Sequence, residues 1–202
     1  TLLASLLIVT SVIAQNWAPV GENIRTPWAD QVDPSAPLHA YPRPQMVRAD
    51  WMNLNGLWDY AVTEASAETF DAQGEILVPF AIESSLSGVG KRVSKGEALW
   101  YEREFTVPKQ WKGKNVLLHF GAVDWHAEVF VNDVFLGEHK GGYDPFSFDV
   151  TPALKKSGKQ VIRVKVQDAT DNSFQPRGKQ CIINAGIWYT PVTGIWQTVW
   201  ME

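Results

Sequence analysis

Residues 100–107 read WYEREFTV, and this stretch decides the fold class. Apolar and polar side chains alternate along it, so that Tyr101, Arg103, Phe105 and Val107 face one way. A period of two residues is that of a β-strand, whose successive side chains point to opposite faces of a sheet. We therefore predict a strand here with one face directed into a core.

The same period recurs from residue 50 to the end of the sequence. Further strands are predicted at 56–62, 75–78, 116–120, 127–131, 162–166 and 193–200. Asn132-Asp133 is typical of a hairpin turn, Gly141-Gly142 marks another turn, and Pro145 opens the next strand. No stretch longer than a turn or two shows the helical period. The pattern predicts an all-β, antiparallel sandwich of eight or nine strands, and we favour a jelly roll.

Composition excludes several classes of protein. The chain has 202 residues and a net charge of -4, without the clustered basic run that nucleic-acid binding would require, so we expect no nucleic-acid partner. Trp is abundant, with 10 copies. A single cysteine, Cys181, excludes an internal disulfide. Its apolar neighbours predict a packing role for it.

The first 48 residues differ from the rest. Residues 2–14 are apolar and uncharged, too few to span a bilayer, and end in small residues typical of a cleavage site. We predict a signal peptide at 1–15, and therefore export to the periplasm or the extracellular space, against the alternative of a buried strand or helix. Residues 16–48 carry six prolines and predict an extended arm laid over another surface, or else a flexible linker.

Motifs for catalysis are sparse. The sequence has no Gly-x-Ser-x-Gly elbow and no phosphate-binding loop. His119 and His126 are seven residues apart on different predicted strands, with no Cys or further His at metal-binding spacing, so we predict histidines on strand surfaces and no metal site. No pair of acids is convincing as the two carboxylates of a glycosidase. We expect nearly all of the candidate acids to be solvated or to cap turns: Glu83, Glu102, Glu104, Asp124, Glu128, Asp144, Asp149, Asp168 and Asp171.

The most polar cluster is residues 168–180, DATDNSFQPRGKQ, between two predicted strands. It holds carboxylates, amides, basic groups and a Phe. Long ordered loops often carry function. The composition fits a site for sugar hydroxyls and fits a plain polar loop equally well.

A family resemblance rests on many short motifs in a fixed order. These are DW at 50–51, LNGLWDY at 54–60, VPF at 78–80, LWYEREF at 99–105, HFGAVD at 119–124, VN at 131–132, GEH at 137–139, GGYDPF at 141–146 and DVT at 149–151. Together they resemble the N-terminal domain of glycoside hydrolase family 2, which includes β-galactosidases, β-glucuronidases and β-mannosidases. The resemblance extends from about residue 50 to the last residue.

The resemblance implies a galactose-binding-like jelly roll at 49–202, followed in the parent enzyme by an immunoglobulin-like domain and a catalytic (β/α)₈ barrel. In the family a retaining mechanism uses two Glu of the barrel, so no catalytic residue is expected in this chain. The expected partners are a carbohydrate substrate and the C-terminal domains of the same polypeptide. No cofactor, metal or membrane span is expected, and the oligomeric state is open.

The resemblance also points to one position near the end of the chain. In family galactosidases and glucuronidases a sugar-contacting Asp lies six residues before a Gly that matches Gly194, and Trp188 occupies that place here. We hypothesise that Trp188 stacks on sugar at the rim of a site, with Asp171, Arg177 and Lys179 as polar contacts. The alternative is that Trp188 belongs to the core. At the level of function, the alternatives are a stand-alone carbohydrate-binding module and a purely structural sandwich.

Overall fold

The computed structural model describes residues 17–22 and 24–202, so the predicted signal peptide at 1–15 lies outside the described residues. Regular structure in the described residues is β-strand, apart from five 3-10 helices of three residues each: Ala29–Gln31, Pro44–Met46, Ser85–Ser87, Lys109–Trp111 and Thr151–Ala153. The strands are β1 (Met52–Asn53), β2 (Gly56–Glu64), β3 (Gly74–Val78), β4 (Glu97–Phe105), β5 (Leu117–Phe120), β6 (Val123–Asp124), β7 (His126–Val131), β8 (Val134–Lys140), β9 (Phe146–Asp149), β10 (Gln160–Gln167), β11 (Gly194–Ile195) and β12 (Val199–Met201).

These strands form an antiparallel β-sandwich. One sheet has the spatial order β3-β2-β4-β10-β7-β8, a second has the order β1-β12-β5-β9, and β6 pairs with β11 in a small third sheet. Apolar side chains of both large sheets form one buried cluster, in which Trp58, Tyr101, Phe120 and Met201 are almost fully inaccessible. Burial of this cluster between two faces is the main source of stability for such a fold. The predicted all-β sandwich is confirmed.

Strand β4 is one of the two central strands of the larger sheet, and it contains most of the stretch WYEREFTV. Its partners are β2 on one side and β10 on the other. Tyr101 and Phe105 are buried in the core, as the alternation predicts. Arg103, on the same face, is half-buried; its guanidinium donates a 3.0 Å hydrogen bond to the carbonyl of Asn55. The strand ends at Phe105, two residues before the predicted end.

The β7–β8 hairpin turns at Asn132 and Asp133, as predicted, and both have positive φ, 50° and 66°. Asn132 also holds the segment between β9 and β10. Its side-chain amide donates to the carbonyl of Ala153 at 2.8 Å and to Oε1 of Gln160 at 2.7 Å. The turn after β8 at Gly141-Gly142 and the strand after Pro145 are likewise found. The turn residues therefore predict the ends of β7, β8 and β9 correctly in this part of the chain.

The single strand predicted at 193–200 is wrong. The chain divides there into β11, which pairs with β6, and β12, which lies between β1 and β5. At the break, the Trp196 indole donates to the carbonyl of Gly142 at 2.8 Å, and the side chain of Gln197 packs directly over Gly121. These contacts take the chain from the small sheet to the four-stranded sheet, which alternation alone does not indicate.

His119 was predicted on a strand surface, and this is also wrong. It lies on β5, is buried, and stacks on Trp200 with ring centroids 4.8 Å apart. Burial lowers the pKa of His119, although the nearby Glu202 carboxylate acts in the opposite direction. Alternation could not show this burial, because Leu118 and Phe120 point to the other face of β5 and the ring that covers His119 belongs to Trp200 on β12.

The described residues of the 16–48 segment contain two of the 3-10 helices and no strand, and they contact the sandwich at several points. Near its start, Trp17 donates to the carbonyl of Leu86 at 3.2 Å. Further on, Asn55 donates to the carbonyl of Pro37 at 3.2 Å. At its end, Tyr41 donates to the Glu202 carboxylate at 2.7 Å, and Arg43 pairs with the same carboxylate.

Among the residues that the structure describes, no helix has the length and apolar character needed to cross a bilayer.

Candidate functional site

The loop at 168–193 connects β10 to β11 and carries all four predicted site residues. It contains no strand, but its backbone folds back on itself. Tyr189 donates to the carbonyl of Lys179 at 2.9 Å, and Cys181 donates to the carbonyl of Tyr189 at 3.0 Å. This pairing brings the two halves of the loop side by side and places Trp188 near Arg177.

Asp171, Arg177 and Trp188 form one contiguous group. The Arg177 guanidinium lies 3.5 Å from Oδ2 of Asp171 and 5.6 Å from the centre of the Trp188 ring. The Cys181 thiol donates to the same Asp171 oxygen at 2.8 Å. The Cys181 hydrogen bond and the Arg177 charge help to lower the pKa of Asp171. Cys181 is half-buried, and its thiol belongs to this group through the Asp171 hydrogen bond.

Lys179 lies beside this group. Its Nζ is 5.9 Å from the ring centre of Tyr189, the residue after Trp188. Trp188 is 42% exposed and Tyr189 62% exposed, so the alternative of Trp188 in the core does not hold. The loop therefore presents aromatic faces next to a carboxylate and two cationic groups. Such a surface can stack on the apolar faces of a sugar ring and hydrogen-bond its hydroxyls.

Gln180 anchors the loop to the sandwich. Its amide nitrogen donates to Oδ2 of Asp124 at 2.9 Å, and its amide oxygen accepts from the backbone of Val192 at 2.6 Å. Asp124, on β6, is 2% exposed. Gly142 lies directly against it, since a Cβ there would lie 2.6 Å from the Asp124 carboxyl. Burial raises the pKa of Asp124 to about 7, against the effect of the Gln180 hydrogen bond.

A second buried polar group closes the other end of the loop. Oδ2 of Asp168 accepts from the Thr193 hydroxyl at 2.8 Å, and Oε2 of Glu83 accepts from the Thr193 backbone at 2.9 Å. Burial raises the pKa of Glu83 to about 7; the Thr193 hydrogen bond opposes this and the Asp168 charge adds to it. The side chains of Glu83 and Asp168 are buried, so they act on the loop by positioning its end.

Three of the acids that were expected to be solvated or to cap turns are buried: Glu83, Asp124 and Asp168. Asp168 does cap a turn, since it accepts from the backbone of Thr170 at 2.7 Å. Asp149 caps the start of a 3-10 helix as predicted. Their local sequences share no common signal: Asp124 ends β6, Asp168 follows β10 directly, and Glu83 lies in the turn region after β3. Gln180 was missed because nothing in its local sequence distinguishes an anchoring amide.

On the β7–β8 surface, His126, Glu128 and Glu138 place one ligand atom each within 4.8 Å of one another. Glu138 is already bound to His126 at 2.7 Å and lies 3.3 Å from Lys140. Sequence spacing missed this group because Glu138 is contributed by the neighbouring strand. The three atoms can hold a cation only if the existing ion pairs are given up.

A cleft of about 620 Å³ runs along the loop's end, between residues 190–192, the turn at 83–86 and the segment at 24–26. Its volume falls within the range of small-ligand pockets. Glu83 and Ser85 line it from the sandwich side. The cleft and the exposed aromatic residues thus share one loop, which makes this end of the sandwich the candidate functional surface.

A two-sheet antiparallel sandwich whose end loop presents aromatic and charged groups together has the form of a carbohydrate-binding β-sandwich domain. Residues 78–200 match the family described as glycosyl hydrolases family 2, sugar binding domain. The match covers more than half of the chain, and the chain belongs to this family.

Curated relatives carry two enzyme names. Over 104 residues the chain is 38% identical to a beta-galactosidase of Thermoanaerobacter pseudethanolicus, a match that covers 51% of this chain and 13% of that protein. It is 35% identical over 104 residues to a beta-glucuronidase of Formosa agariphila, covering 52% of this chain and 10% of that protein. The matched region is therefore a small part of each of these relatives.

Solved structures confirm the fold. A β-glucuronidase from Ruminococcus gnavus, in complex with a C6-substituted uronic isofagomine, aligns with a TM-score of 0.61 at 22% identity, covering 80% of this chain and 30% of that chain. A Lactobacillus rhamnosus beta-glucuronidase aligns with a TM-score of 0.59 at 25% identity, covering 77% of this chain and 29% of that chain.

Proposed function

We propose that this chain is the N-terminal domain of an exported, retaining glycosidase that hydrolyses O-glycosyl bonds in carbohydrates. The family match and the relatives named beta-galactosidase and beta-glucuronidase support the reaction class. We also propose that the strands of this sandwich are connected as a jelly roll. The carboxylates that perform the chemistry are assigned to a downstream (β/α)₈ barrel, and export is inferred from the apolar residues 2–14.

The role proposed for this domain is to shape the rim of the substrate site. The observation that supports it is the group of Asp171, Arg177 and Trp188, with Lys179 alongside, on an ordered loop. An indole face held by a cation–π contact is ready to stack on a sugar without a large loss of side-chain entropy. The loop then faces the downstream domains of the same polypeptide.

We test this role with Trp188→Ala in the full-length enzyme. If the indole stacks on substrate, kcat/KM falls about tenfold, because a buried aromatic contact of this kind contributes on the order of 1 kcal/mol or more. The matched control is Trp28→Ala, which removes another exposed indole, 69% accessible, from the N-terminal segment. Unchanged kinetics in a folded Trp188→Ala enzyme would contradict the proposed role.

The three exposed aromatic residues of the loop, Phe174, Trp188 and Tyr189, also fit a carbohydrate-binding module that acts without catalysis. The two functions are separated by reading the coding sequence of the parent protein and by titration of the chain with oligosaccharides. A following sandwich and barrel with two Glu at strand ends supports the glycosidase. Binding of oligosaccharide by a protein that lacks such a barrel supports the module.

A further inference from the structure

The end of the sandwich opposite the 168–193 loop carries a concentration of positive charge. Five of the chain's 11 lysines line one groove of about 640 Å³ around Trp111: Lys109, Lys112, Lys114, Lys155 and Lys156. We call this the lysine groove. No aspartate or glutamate is among the described residues that line it. A single-sign cluster on a domain whose net charge is -4 is unexpected from composition and indicates a site for an anion.

The lysines are held on two ordered turns. In the first turn, Trp111 and Lys114 are linked by a backbone hydrogen bond of 2.9 Å, and the Trp111 indole is buried. In the second, the buried side chain of Gln160 accepts from the backbone of Lys155 at 2.8 Å and donates to the carbonyl of Gly158 at 3.0 Å. The backbones that carry the ammonium groups are therefore preorganised, which reduces the entropy cost of binding.

Most of this charge is not neutralised within the domain. Lys114 forms an ion pair with Asp50 at 2.9 Å, outside the groove lining. The other four lysines have no ion-pair partner among the described residues. All five are exposed, so each ammonium group is available to a ligand.

The remaining lining groups favour a carbohydrate among anionic ligands. Asn115, Ser157 and Thr151 offer amide and hydroxyl groups that match sugar hydroxyls. The one aromatic residue in the lining, Trp111, is buried and cannot stack on a nucleobase as single-strand readers require. No large apolar residue of the lining is exposed for insertion into a membrane.

We propose that the lysine groove binds an acidic oligosaccharide, one that bears carboxylate or sulfate groups on successive sugar units. Ammonium groups from the two turns pair with these anions, and the polar lining groups bind the hydroxyls. The groove adjoins the start of β10, and the proposed substrate loop begins where β10 ends. At 3.3 Å per residue, the two ends of this strand are about 23 Å apart. The groove therefore holds an acidic polymer at a distance from the rim. The assignment of the ligand as a carbohydrate rests on the proposed function.

The test is calorimetric titration of the purified chain with tetragalacturonate at about 0.02 M ionic strength, where exposed charges are weakly screened. We expect binding that weakens at least severalfold at about 0.3 M salt, and no comparable binding of neutral maltotetraose. A Lys112→Gln/Lys155→Gln/Lys156→Gln variant should bind about tenfold more weakly, since three exposed ion pairs are lost. The matched control, Lys91→Gln/Lys95→Gln/Lys140→Gln, loses the same charge elsewhere and should bind within about twofold of the wild type.

A thymidine pentanucleotide, with four phosphates, is the competing ligand of equal charge. Equal or tighter binding of this nucleotide would overturn the carbohydrate assignment. So would absence of tetragalacturonate binding at low salt, equal binding of maltotetraose, or equal losses in the groove and control variants. Turnover of a small aryl glycoside by the full-length enzyme is measured separately. Failure of turnover counts against the proposed glycosidase, whereas failure of tetragalacturonate binding counts against the groove.

Discussion

At the scale of single residues, Gly194 shows how a short sequence motif is enforced by packing. It has φ of +90° and begins β11. A Cβ at this position would lie 2.0 Å from the Tyr101 hydroxyl and 2.9 Å from a methyl group of Leu99. That hydroxyl accepts the backbone N–H of Ile195 at 3.1 Å. Only glycine satisfies both the backbone conformation and the close approach.

Gly194→Ala should therefore lower the free energy of unfolding by more than about 3 kcal/mol, measured by chemical denaturation. The matched control is Gly96→Ala, because Gly96 has nearly the same φ, +94°, with nothing within 4 Å of its Cβ position. The control isolates the conformational cost, about 1 kcal/mol. Equal losses in the two variants would show that the approach of Tyr101 is not what requires glycine.

At the scale of elements, the 168–193 loop is attached to the sandwich by long-range side-chain contacts, and the contact made by Gln180 reaches a buried carboxylate. Gln180 joins the loop to Asp124 of β6 and to the Val192 backbone. Arg92 adds a contact at the outer edge, donating to Oδ1 of Asn184 at 2.7 Å. Because the loop has no strand of its own, these side-chain contacts add to its internal backbone hydrogen bonds in holding it against the sandwich.

Gln180→Ala should loosen the loop while leaving the two large sheets intact. Amide hydrogen exchange in residues 171–191 should accelerate, and stability should fall by about 1–3 kcal/mol because Asp124 loses its hydrogen-bond donor. Gln110→Ala, which removes an exposed amide from a 3-10 helix, serves as the control. If exchange in the loop is the same in both variants, Gln180 is not the anchor.

At the scale of the whole molecule, buried carboxylates make stability depend on pH. Burial raises the pKa of Glu83 from 4.5 to about 7 and that of Asp124 from 3.8 to about 7. At a pH between the ordinary and the raised pKa of each group, the folded state binds more protons than the unfolded state. Stability contributed by the protonated groups is therefore lost as pH rises from about 4 to about 7.

Glu83→Gln should flatten this dependence, because the amide cannot ionise. Between about pH 5 and about pH 7.5 the variant should lose less stability than the wild type, by on the order of 2 kcal/mol. The measurement is the free energy of unfolding by denaturant at both pH values. Glu68→Gln, at an exposed position, should retain the wild-type difference. A wild-type pH dependence in Glu83→Gln would refute the assignment of the raised pKa.

Much of the fold was predictable because local physics determines it. Alternation places Tyr101 and Phe105 inward, and the Asn132-Asp133 turn requires positive φ. Composition singled out the polar cluster at 168–180 and the family resemblance singled out Trp188, and the structure places Trp188 beside Asp171 and Arg177 of that loop. The division at 196–198 was not predictable, since it depends on where Trp196 and Gln197 meet residues more than 50 positions away.

The sequence by itself determined the class of fold, its principal strands and its family, since periodicity and short ordered motifs are local properties. Tertiary structure alone decided which acids are buried, that Gln180 is an anchor, and that Trp188 is exposed beside Arg177. It also decided that lysines from two separate turns form one groove. The physical reason is that burial, pKa and charge clustering depend on distances in space, which pairing of strands sets only after the chain has folded.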